Sequence, residues 1–141
     1  MKLSYGFVAA VLLHSLCAPS SAQDVSQDRA NDMARQIFAS ADVQKLVSPA
    51  RALRRIDSGQ DNPSLAGKVN PSEHPRPYGN ENANASAIEV QASYGWYADP
   101  VLVIKIKAFV SKEKLAAGKL TDKDFTVREF TATIPDPTGL E

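Results

Sequence analysis

The sequence predicts an α+β domain in which two or three N-terminal helices pack on a three-stranded, mainly antiparallel sheet. Three patterns carry that expectation: an apolar stripe at helical spacing within 30–41, two strand patterns joined by a short turn within 87–110, and a further strand pattern at 125–134. The 141 residues suffice for one domain with a conventional core.

Before the fold begins, 1–22 reads as a secretory signal peptide. Lys2 gives a positive start, 7–16 is largely apolar, and Ser20-Ser21-Ala22 is a small-residue cleavage site ahead of Gln23. The apolar run is well short of the roughly 18 residues a membrane span requires. No transmembrane span is therefore expected after cleavage. A lipoprotein reading of Cys17 is disfavoured by Leu16, because a lipidated cysteine normally follows a small residue. Cys17 is the single cysteine and leaves with the signal, so the mature chain is expected to be cysteine-free. An exported chain without disulfides suits a bacterial periplasm or a bacterial secreted product.

The helical segment spans 23–56. Ala30, Met33, Ala34, Ile37, Phe38 and Ala41 fall at i, i+3, i+4, i+7, i+8 and i+11, which lines one face of a helix. Ser26 is its expected N-cap, and Asp24, Asp28 and Asp32 gather toward the positive end of the helix dipole. One file of carboxylates lacks the convergent loop geometry of a calcium site, so these read as a solvated face. Ser48-Pro49 predicts a second, short helix over 49–56. Arg51, Arg54 and Arg55 lie together on it, which makes either a small site for an anion or an acidic partner, or a charged exposed face.

From 57 to 86 no period survives, and the prolines, glycines and asparagines there read as a linker or mobile loop. His74, the one histidine of the mature chain, falls in it and reads as a solvated side chain.

The sheet segment of the same domain covers 87–134. Ile88, Val90, Ala92, Tyr94 and Trp96 alternate with polar or small residues, which predicts a strand with one dry face. Pro100 helps to mark a turn, and Leu102, Ile104, Ile106, Ala108 and Val110 then hold one face of the next strand. Val101 and Val103 make its start apolar on both sides, so this strand should be interior and doubly covered near 101–104. Ser111 and Gly118 bracket a short helix over 112–117. In the last strand Phe125 and Val127 are odd while Phe130, Ala132 and Ile134 are even, a change of phase that predicts a bulge near Arg128-Glu129. Pro135 opens a tail over 135–141.

Charge is balanced at 16 basic and 16 acidic residues, so nucleic acid is not an expected partner. No catalytic residue, metal ligand set or cofactor motif is identified in the sequence. Two features remain as candidate binding residues. Tyr94, Trp96 and Tyr97 either form an aromatic stacking platform or, for Tyr94 and Trp96, close the core. Lys105 and Lys107, with Lys112, Lys114 and Lys119, make a basic patch or simply the wet face of the sheet.

These observations lead to the expectation of a periplasmic or secreted, non-enzymatic binding or assembly protein of the bacterial cell envelope. Its partner would be another envelope or secreted protein, met through a sheet edge, or an anionic glycan. The alternatives are a glycan or cell-wall binding module built on Tyr94, Trp96 and Tyr97, and a small secreted hydrolase using scattered carboxylates.

Overall fold

The computed structural model describes residues 25–56, 62–70, 85–96 and 98–135. Two helices, α1 (Gln27–Ala39) and α2 (Ala41–Arg54), precede a four-stranded antiparallel sheet in the order β1-β2-β3-β4. Its strands are β1 (Ser64–Asn70), β2 (Ala85–Trp96), β3 (Asp99–Ser111) and β4 (Thr126–Thr133). A short helix α3 (Lys112–Ala117) and a 3-10 turn (Asp122–Asp124) join the last two strands. The fold is α+β, with the N-terminal helices packed on one face of the sheet.

The core is the seam between these two layers. Met33, Ala34, Ile37 and Phe38 of α1 share one apolar cluster with Val43 and Val47 of α2, with Ile88, Val90, Ala92 and Tyr94 of β2, and with Leu102, Ile104 and Ile106 of β3. Period 3.6 from one layer thus meets period 2 from the other, each burying its single apolar side.

Local chemistry sets where the elements start and stop. Ser26 Oγ accepts from the Arg29 N–H at 3.3 Å at the head of α1. Ser40 ends α1 and caps α2, accepting from the Val43 N–H at 3.4 Å. Ser111 caps α3, and Gly118 closes it at φ 83°, a left-handed conformation that glycine adopts without steric cost.

Four expectations need correction. The sheet has a fourth strand, β1, inside the stretch read as linker; 57–61 and 71–84 lie outside the described residues. Second, no separate helix starts at Pro49, because α2 runs through it from Ala41 to Arg54. Proline lacks the N–H that would bond to the Lys45 carbonyl one turn back, and the helix continues past that one missing bond; beside it, Ser48 Oγ donates to the Gln44 carbonyl at 2.8 Å. Third, the start of β3 is not covered on both faces: Val101 is exposed and Val103 only half-buried. The second face is buried at the opposite end, where Phe109 packs with Ala85 and Ala87. Fourth, Trp96 does not join the core and is 86% exposed. A register shift between Tyr94 and Gly95, with Gly95 at φ 108°, breaks the alternation just before it.

The bulge expected in the last strand is present. Lys107 pairs with Glu129 and Ala108 with Val127, leaving Arg128 as the extra residue. That shift brings Val127 and Phe130 against the core despite their opposite phase.

Candidate functional site

The two edges of the sheet are treated differently. At β1 the edge is closed in its middle by α1: the Gln27 side-chain amide donates to the Gly67 carbonyl at 2.7 Å, and the Gly67 N–H donates to Asn31 Oδ1 at 3.1 Å. Gln27 also donates to Asn31 at 2.9 Å, which fixes the pair. This close approach requires glycine, since a Cβ on Gly67 would overlap the Ala30 carbonyl and stand 2.9 Å from the Ala34 Cβ.

From Gly67 the direction of every backbone group across the sheet follows. In an antiparallel ladder the N–H and C=O of one residue point to the same neighbour, and directly opposed residues either exchange bonds or both point away. Gly67 bonds to α1, so its partner Val90 points toward β3 and exchanges bonds with Ile106. Ile106 is thereby committed to β2, and its other partner, Phe130, has both groups directed out of the sheet. Ala132, two residues on, points the same way. Along β4 six of eight residues are exposed and the other two, Val127 and Phe130, are half-buried. Among the described residues, this edge is the open one.

No described helix covers the second face of the sheet, where the register stacks two polar rows. Lys68, Glu89, Lys107 and Glu129 form one row, alternating in charge from β1 to β4. Ala66, Gln91, Lys105 and Thr131 form the next. Together they line a groove of about 500 Å³.

The residues singled out in the sequence disperse. Tyr94 is a core residue, 2% exposed, with the Phe38 ring 6.5 Å away and the Arg51 guanidinium 5.8 Å from its ring centre. Burial raises its phenol pKa above the ordinary value of 10.0, and the Arg51 charge acts in the opposite direction. Tyr94 and Trp96 therefore do not form one platform, and Tyr97 lies outside the described residues. Arg54 binds backbone: its Nε donates to the Val101 carbonyl at 3.0 Å and its Nη2 to the Pro135 carbonyl at 3.1 Å. Arg55 ends α2 at φ 50° and is exposed. The three arginines thus point to separate tasks.

Lys105 and Lys107 stand together on the open face, whereas Lys112 and Lys114 belong to α3. Lys114 lies 3.4 Å from Asp124, which also accepts from the Thr121 N–H at 2.8 Å and from its hydroxyl at 3.0 Å. These contacts, the Thr121 bonds foremost, hold the Asp124 carboxyl below the usual aspartate range.

Four of the five exposed large apolar residues among those described, Leu53, Trp96, Val101 and Ile134, are linked to the Arg54 bonds by chain or by pairing, and Leu46 is not. Leu53 and Ile134 are chain neighbours of the bonded residues, Val101 supplies a carbonyl, and Trp96 lies across the β2-β3 turn. Among the described residues no group of three or more His, Cys, Asp or Glu could hold a metal ion, and no helix is long and apolar enough to cross a membrane.

What sequence reasoning missed is β1, and with it Ala66, Lys68, and the difference between the two edges. Leu65, Gly67 and Val69 do alternate. Three apolar or small positions between proline-rich stretches are too faint a period to outweigh their surroundings. Comparison of the chain with protein-family models, with curated proteins and with solved structures gives no match.

Proposed function

We propose that this chain is an exported, non-enzymatic binding or assembly protein of the bacterial cell envelope that engages another protein by adding a strand to β4. Export rests on the charged start, apolar run and small-residue site of 1–22. The mode of binding rests on one observation: the β1 edge is stoppered by Gln27 and Asn31, while the outward N–H and C=O groups of Phe130 and Ala132 have no such cover among the described residues. An uncovered edge strand is a ready template for an incoming extended segment, whose main chain supplies affinity and whose alternate side chains supply specificity.

Ala132→Pro tests this directly. It deletes an outward N–H and leaves the bonds between β3 and β4 in place, because proline is tolerated on the solvent side of an edge strand. A partner captured from envelope extract with the wild-type chain, identified by mass spectrometry and purified, should bind Ala132→Pro at least about tenfold more weakly, the loss expected from about 1.4 kcal/mol. Equal binding by a folded Ala132→Pro chain would exclude strand addition at β4.

A further inference from the structure

We propose that the open face of the sheet binds an acidic sugar, with its carboxylate on Lys105. This site is separate from the β4 edge and does not depend on it. On this face the row through Lys107 is balanced by alternation, since each lysine faces a glutamate across the ladder. The row through Lys105 is not. Its cross-strand neighbours are the uncharged Gln91 and Thr131, and Lys105 makes no ion pair among the described residues. Cross-strand side chains begin about 5 Å apart, so the ammonium, the amide and the hydroxyl can reach one small ligand group. On the far side of Gln91 stands Ala66, whose small side chain leaves room along the groove.

The charge pattern narrows the ligand's chemistry. A polyanion such as a nucleic acid or a polyphosphate would meet Glu89 and Glu129 beside the lysine and be repelled. A neutral sugar would leave the lysine charge unanswered. A carboxylate-bearing polyol satisfies both: its single charge meets Lys105, and its hydroxyls donate to the Glu89 and Glu129 carboxylates and accept from Gln91 and Thr131.

The test uses the full chain and monomeric galacturonate, which carries one carboxylate, titrated by calorimetry and by amide shifts in NMR. Binding should weaken with salt and perturb Gln91, Lys105 and Thr131 first. Lys105→Gln should lower affinity at least about tenfold with the circular dichroism spectrum unchanged, Lys105→Arg should retain most of it, and Lys119→Gln should behave as wild type. Ala132→Pro should bind galacturonate normally, which separates this site from the protein-docking edge. The proposal is overturned if galacturonate does not bind, if Lys105→Gln binds it equally well, or if poly-glutamate or inorganic phosphate binds as tightly.

Discussion

Replacing Gly67 with alanine probes the contact that seats α1 on the sheet. The new methyl group would sit inside the Ala30 carbonyl and 2.9 Å from the Ala34 Cβ, both in the rigid interior of α1. Backbone rather than a flexible side-chain tip has to yield, so α1 is pushed off β1. Overpacking of this kind costs about 1–3 kcal/mol. As the helix retreats, the bonds from Gln27 and to Asn31 stretch, adding about 1 kcal/mol each. Alanine restricts the unfolded chain and returns about 0.4–1 kcal/mol. The net destabilisation is about 2–5 kcal/mol, read as a lower midpoint in urea at unchanged slope. The double variant Gln27→Ala/Asn31→Ala removes the bonds without the clash and should lose about 1–2 kcal/mol. A Gly67→Ala chain as stable as wild type would show that α1 does not rest on β1, and the closed-edge reasoning would go with it.

Other consequences follow from the same structure. Tyr94→Ala should cost about 3–5 kcal/mol and Trp96→Ala at most about 0.5 kcal/mol, as measured by chemical unfolding; similar losses would put both rings in one environment. Arg54→Ala should cost about 1–3 kcal/mol through its two carbonyl bonds, and Arg54→Lys should not restore it, because an ammonium cannot span both acceptors in a fixed fork. Asp124 has a folded pKa below its unfolded value, so its contribution to stability is present above the unfolded pKa and is lost as pH falls through the folded one. A carboxyl NMR titration should place its midpoint below that of the same residue in the unfolded chain, and Asp124→Asn should flatten the acid limb of the stability curve. A midpoint at or above the unfolded value would contradict the Thr121 contacts.

Much of the fold is legible in the residues because burial on one side leaves a periodic record. The α1 stripe, the β2-β3 hairpin and the phase change around Arg128 are all of that kind. Trp96 shows where the record misleads: its position continues the alternation of Ile88 to Tyr94, but a glycine at positive φ resets the strand before the alternation reaches it. β1 is faint because its middle position is a glycine chosen for contact with a helix, not for apolar bulk. The groove is half visible in the sequence, as Lys105 and Lys107. Gln91 and Thr131 join it only through register, which links residues 40 apart and is not written in either strand alone. The arginines show the converse: neighbours on a helix share a face, yet Arg51 reaches a ring while Arg54 reaches two carbonyls.

Amide hydrogen exchange, resolved by residue, tests the asymmetry of the two edges most directly. Gly67, although on an outer strand, should exchange slowly, while Phe130 and Ala132 exchange rapidly beside protected Glu129 and Thr131. Rapid exchange at Gly67 together with protection at Phe130 and Ala132 would reverse the edges and remove the basis for strand addition at β4.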